Sequence, residues 1–320
     1  MCKTSVTAGR TPSRWTRGSC AALVIGLIAF CRWAETGIAQ PISVPNASFE
    51  SPATGFVNIN TDSWQKSPKP DWYVENGGYL WSQLVGGFKN TVPTSGDHID
   101  NCDGNQAIWL FAVPEVALFQ DYDSVDWNDP APSHEFNATF EIGKSYHLTV
   151  GVIGAGGGML PGATLAVNLY YRDEASNRVA VATTSVTNAT EVFSNSTHFI
   201  DCEVNVPVVQ AGVPWAGRHL GIEFVSTVST NLQGGYWDLD NVRLIAGPVL
   251  LRPQFTNDAF QFTLRGQPGA RFEILSSDDA AAPLLNWTPL QTITNITGSA
   301  TFSDPSLPGG GRFYRGRQLP

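Results

Sequence analysis

Short runs of β-branched and aromatic residues, each closed by a Gly, Pro or Asx turn, recur along this chain from Pro41 to its end. None carries a sustained helical period, and such spacing points to a sandwich or barrel. The 31 glycines and 21 prolines supply the turns that short strands need. The expected fold class is therefore all-β. Strands are predicted at Pro41 to Glu50, in two runs around Gly143-Lys144 between Phe136 and Ile153, at Thr164 to Tyr171 and Arg178 to Val186 as a hairpin, at Phe199 to Val208, and at His219 to Val228. With the closing strand and those of the aromatic region they number about eight or nine, as a two-sheet jelly-roll sandwich requires. Gly247-Pro248 ends that unit. From Val249 onward the grammar repeats at smaller scale, as Phe260 to Leu264, Arg271 to Ser276, Trp287 to Ile293, Ala300 to Phe302 and Arg312 to Arg315, so a second, smaller β-sandwich is expected over residues 248–320.

Residues 1–39 read as a secretory signal. Lys3, Arg10, Arg14 and Arg17 precede the apolar run Cys20 to Cys31, and Gly37-Ile38-Ala39 offers small residues before Gln40. The alternative reading of the same run is an uncleaved membrane anchor. Cleavage would leave residues 40–247 and 248–320 as the mature protein, with no membrane span. It would remove five basic residues and one acidic residue, moving the formal charge from −9 to −13. A field of that sign opposes nucleic acid and anionic surfaces and suits neutral sugars, cations or small molecules. Two cysteines would remain, Cys102 and Cys202, able to form one disulfide in an oxidising compartment or to stay as buried thiols.

The chemistry concentrates in GGYWDLDNVRL, Gly234 to Leu244. Strand alternation puts Tyr236, Asp238, Asp240 and Val242 on one face and Trp237, Leu239, Asn241 and Arg243 on the other. Two carboxylates sharing a face need a cation, a proton or water. Upstream lies a dense aromatic set: Trp64, Trp72, Tyr73, Tyr79, Trp81, Phe88 and Trp109. Most of these rings are expected in the core, but rings on loops can also stack on a sugar face. Tyr79 and Trp81 alternate with Leu80 on a predicted strand, which makes them the first candidates for a binding platform, with Phe88 and Trp109 beside them. Other tempting stretches lack their chemistry. Asp100, Asp103 and Asn105 around Gly104 suit an Asx-rich turn, Asp121 to Asp129 lacks the EF-hand pattern and reads as a solvated acidic loop, and Gly154 to Gly158 reads as a flexible loop because Met159 breaks the dinucleotide fingerprint. Neither HExxH nor GxSxG occurs.

The opening N-x-x-F-E (Asn46, Phe49, Glu50) and the closing D-N-V-x-L (Asp240 to Leu244) resemble the ends of the galactose-binding-like jelly rolls, which include many calcium-containing carbohydrate-binding modules. The resemblance spans roughly Pro41 to Ala246. It implies that the first and last strands are neighbours joined by a structural calcium ion at Glu50 and Asp240, helped by oxygens from Asn46 to Ser48. The bland alternative leaves both carboxylates as solvated strand ends. The same architecture resembles the Stig cyclases, which implies an aspartate acid in an aromatic pocket, here Asp238. The C-terminal FSDP (Phe302 to Pro305) and RFYR (Arg312 to Arg315) resemble small fibronectin-type-III-like modules.

The expected function is a secreted, non-catalytic carbohydrate-binding protein that holds a polysaccharide through Tyr79, Trp81, Phe88 and Trp109 with Asp238 as polar partner. The alternatives are a calcium-dependent small-molecule cyclase using Asp238, and a purely structural cell-surface protein. Exposed rings on an open sheet would favour the first, and a closed aromatic pocket around Asp238 the second.

Overall fold

The computed structural model describes residues 40–76, 78–256, 259–305 and 311–319. The expected signal, residues 1–39, lies outside them. In chain order the first strands are β1 (Gln40–Ile42), β2 (Val57–Asn58), β3 (Gln65–Lys66), β4 (Val85–Lys89), β5 (Gln106–Phe111), β6 (Ala117–Gln120), β7 (Tyr146–Gly156), β8 (Thr164–Arg172), β9 (Arg178–Thr187), β10 (Ile200–Val206), β11 (Gly221–Ser226) and β12 (Tyr236–Ala246). The rest of the chain adds β13 (Val249–Thr256), β14 (Ala259–Arg265), β15 (Arg271–Ser277), β16 (Thr288–Thr294), β17 (Ser299–Asp304) and β18 (Phe313–Gln318). Apart from short 3-10 turns there is no helix among the described residues, and none is long and apolar enough to cross a membrane.

One antiparallel sheet runs β10-β7-β12-β5-β4-β2, with β1 also paired to β12, and a second runs β3-β6-β11-β8-β9. Their facing sides make the main core. Trp237 and Leu239 of β12, Ile108 and Leu110 of β5, and Leu148 and Val150 of β7 meet Leu165 and Val167 of β8 and Phe224 of β11. Burial of such side chains at roughly 25 cal/mol per Å2 drives the two sheets together. Beyond Gly247 two three-stranded sheets, β13-β14-β17 and β16-β15-β18, have their own core of Phe262, Leu264, Phe272, Ile274 and Phe302. The architecture is all-β and sandwich-like throughout.

The first strand is shorter than expected. Only Gln40–Ile42 pairs, Ile42 lying opposite Leu244, and the segment then turns with Asn46 and Phe49 at positive φ. The closing strand also departs from strict alternation. Its register against β7 shifts between Asp240 and Arg243, where Asn241 has φ +57°. That bulge moves Val242 onto the core side with Trp237 and Leu239, while Tyr236, Asp238 and Asp240 keep the opposite side.

Four other expectations are corrected. Tyr79 to Trp81 form no strand: Trp81 opens a 3-10 turn, and its ring is only 7% exposed with Nε1–H donated to Ser67 O at 2.7 Å. Gly154 to Gly156 belong to β7 instead of a flexible loop, because the Tyr236 ring lies on Gly156, where a Cβ would stand 2.5 Å from it. Asp121 is not solvated. It is buried, takes the Tyr170 hydroxyl at 2.5 Å, and pairs with Arg172 at 2.7 Å. Finally, Cys102 and Cys202 are both free. The first packs with Ile99 and Phe199 on the outer side of the seven-stranded sheet and the second against the inner core, so their side chains stand on opposite faces and cannot reach disulfide geometry.

Candidate active site

The outer face of the seven-stranded sheet carries a cavity of about 460 Å3 lined by Val57, Ile59, Tyr79, Gln83, Phe88, Trp109, Phe111, Tyr236 and Asp238. Strand register assembles it. Asp238 lies opposite Trp109 and Tyr236 opposite Phe111 across β12 and β5, Trp109 lies opposite Gly86 across β5 and β4, and Phe88 lies opposite Val57 across β4 and β2. Cross-strand pairs share a face, so one polar residue on β12 is surrounded by rings from its neighbours. Gly86 is required there, since a Cβ would come within 2.5 Å of Trp109 Cζ2 and 2.6 Å of Asn58 O. Trp109 is held at its far end by Nε1–H donation to Gln83 O at 3.0 Å. Tyr79, Phe111 and Tyr236 continue the aromatic wall with centroid separations of 5.0 and 5.9 Å.

Asp238 is the chemical centre of this wall. Its Oδ1 is buried without a hydrogen-bond partner, and burial alone pushes its carboxyl up to about 7. Among the described residues no cation offsets that cost, which favours the protonated form toward neutral pH. Burial, and then the carboxylates of Asp238 and Asp97, raise the Tyr236 phenol as well. A neutral carboxylic acid facing apolar rings can donate a proton and leave little else nearby to receive it.

Of the residues read from the sequence, Tyr79, Phe88, Trp109 and Asp238 converge here, and Trp81 does not. Phe111, Gln83, Val57, Ile59 and Tyr236 complete the wall. Phe111 follows Trp109 by two residues on one strand, so period-two alternation carried a signal for it. Nothing local marked Val57 or Ile59.

The second carboxylate cluster lies below the loop that precedes β5. Glu50 Oε1 accepts the N–H groups of Asn105 and Gln106, both at 2.7 Å, and Asp240 Oδ2 accepts Asp103 N–H at 2.7 Å. Gly104, at φ +92°, lets the loop approach, for a Cβ there would sit 2.6 Å from Glu50 Oε1. Asp240 is fully buried, its Oδ1 has no partner, and burial pushes its carboxyl up to about 7 against hydrogen bonds from Asp103, Asn241 and Cys102. Asn46 does not join this cluster. Its amide locks the turn through Ser51 O and Asp62 O, and its carbonyl takes Phe49 N–H and Trp64 Nε1–H. Ser48 sits in the same turn. Among the described residues no three His, Cys, Asp or Glu side chains converge as a metal site. The orphaned oxygen of Asp240, under the same loop that Glu50 holds, has the chemistry a hard cation takes when carbonyl oxygens complete its shell.

The HpiC1-like family, described as HpiC1 cyclase, matches residues 40–245. Among solved structures, a cyclase from Fischerella sp. TAU is similar at 22% identity with a TM-score of 0.46, over 65% of this chain and 97% of that one. A cyclase from Fischerella sp. TAU in complex with 4-(1H-indol-3-yl)butan-2-one is similar at 24% identity and TM-score 0.46, over 68% and 100%. TmCBM61 in complex with beta-1,4-galactotriose is similar at 14% identity and TM-score 0.31, over 64% and 97%. No curated protein matches the chain.

Proposed function

The chain belongs to the HpiC1-like cyclase family, and from that premise we propose that it is an enzyme whose Asp238 protonates a small, flat aromatic substrate and so triggers its cyclisation. The observation that carries this reading is the unpartnered, proton-holding carboxyl of Asp238 facing an aromatic cavity. Asp238 gives its proton to a basic or electron-rich atom of the substrate. The faces of Trp109, Phe111 and Tyr236 stabilise the cation that results. Ring closure and loss of a proton back to the carboxylate complete the turnover, so product and substrate have the same mass. The glycan platform gives way to this reading because Trp81, one of its two leading rings, is in the core, and the remaining rings line a pocket with a buried carboxyl oxygen at its wall.

The test is saturable binding of 4-(1H-indol-3-yl)butan-2-one, followed by incubation with a panel of indole substrates. Mass spectrometry would look for an isomer of unchanged mass and new retention time. Absence of both binding and any isomer sinks the proposal.

We also propose export, on the signal at residues 1–39, and a structural calcium ion at Glu50 and Asp240. The orphaned Asp240 Oδ1 supports the ion, since a buried carboxylate oxygen without a partner is costly and a bound cation removes that cost. A cation bound only by the folded state, at about a hundred times its Kd, stabilises by roughly 2.7 kcal/mol, equivalent to about 5–10 °C in Tm. Calcium should therefore raise the Tm and EDTA reverse it, with Asp240→Asn insensitive to both. An identical Tm with calcium and with EDTA removes the ion from the account.

A further inference from the structure

Lys66 is not used by the chemistry proposed above, and its setting is unusual. It lies on β3 in the five-stranded sheet, yet its ammonium reaches across to the other sheet and donates to Ser82 O at 2.5 Å and Val85 O at 2.6 Å. Burial pushes its pKa down to about 8, and no carboxylate contributes to the shift. A lysine kept only for packing would be replaced at no loss by an apolar side chain, because a buried ammonium without a counter-ion is costly. What the ammonium does is close the turn between Trp81 and Val85 by occupying two of its carbonyls. Of the two carbonyls between them, Leu84 O receives Phe111 N–H and Gln83 O receives Trp109 Nε1–H. Trp109 in turn lies over Gly86 and opposite Asp238.

We infer that Lys66 is a positioning residue for the pocket, holding the turn from which the Trp109 indole hangs and thereby setting the wall beside Asp238. The inference rests on the pocket being the reactive site. The same turn also sets Gln83, another lining residue, so one remote charge governs two sides of the cavity.

Hydrogen exchange of indole N–H groups in 15N-labelled protein tests it, with Trp109→Phe assigning the reporter. Trp64 Nε1–H, bonded to Asn46 O, and Trp287 Nε1–H, bonded to Ala282 O, report on the rest of the fold. In Lys66→Met the Trp109 indole should exchange about tenfold faster while the other two stay within about twofold, and Lys66→Arg, which keeps charged donors, should restore protection. Unchanged Trp109 exchange, or equal acceleration of all three indoles, overturns the inference. If Lys66→Met does not fold, Lys66→Gln is read by the same criteria. The readout needs no substrate, so it stands or falls separately from the acid role of Asp238, which is judged by turnover in Asp238→Asn.

Discussion

Asp238→Asn should lower turnover by about 10²- to 10⁴-fold, the range that a positioned general acid contributes, and leave ligand affinity nearly unchanged. The amide keeps the shape of the side chain and its place opposite Trp109 but has no acidic proton to give. The same residue dictates two pH dependences. With the carboxyl pushed up to about 7, the reactive acid form is complete below that pH, and the rate should fall about tenfold per unit above it. For stability the sign follows from proton counting. The unfolded chain releases this proton near the ordinary value of 3.8 and the folded chain near 7. Between those values the folded state binds more protons, so stability falls as pH rises, and above 7 the full penalty applies. At about 1.4 kcal/mol per unit the penalty is on the order of 4 kcal/mol. Asp238→Asn should therefore gain Tm over the parent most clearly at pH 8 and least near pH 4. A variant with undiminished turnover, or one whose Tm advantage does not grow with pH, would refute the protonated acid.

Trp81→Ala should cost about 3–5 kcal/mol of stability, as large aromatic deletions in a core do, with a fall in the denaturant midpoint as the measure. The ring packs edge-on against Tyr73 at 5.0 Å and Trp72 at 6.3 Å, and loss of its indole N–H strands the Ser67 carbonyl. Tyr79→Ala offers the contrast. Tyr79 is 59% exposed at the mouth of the cavity, so its removal should change stability by less than about 1 kcal/mol and instead weaken ligand binding a few-fold through the lost contact with Phe111. A glycan platform would give the reverse pattern, with Trp81→Ala folded and deficient in binding. Measuring both variants side by side separates the two readings.

The aspartate and part of its aromatic surroundings are legible in the residues, because strand periodicity is local. Asp238 and Asp240 share a face for the two-residue reason alone, and Phe88, Trp109 and Tyr79 could be named from the aromatic density before them. Whether a given ring belongs to core or cavity depends on what packs against it. Tyr79 and Trp81 looked equivalent in sequence, yet one caps a cavity and the other is sealed beneath Trp72 and Tyr73.

The sequence by itself determined the all-β class, the positions of β7 through β12 to within a few residues, and the concentration of chemistry on the closing strand. These follow from alternation and turn residues, which act over neighbouring positions. Only the tertiary structure decided the rest. The bulge at Asn241 switches which side chains of β12 face the core after Asp240 and sends Val242 inward. The β12–β5–β4 register places Trp109 between Asp238 and Gly86, and the two faces of one sheet separate Cys102 from Cys202. Register and layer packing are set by contacts between residues far apart in the chain, whose free energy no local window contains.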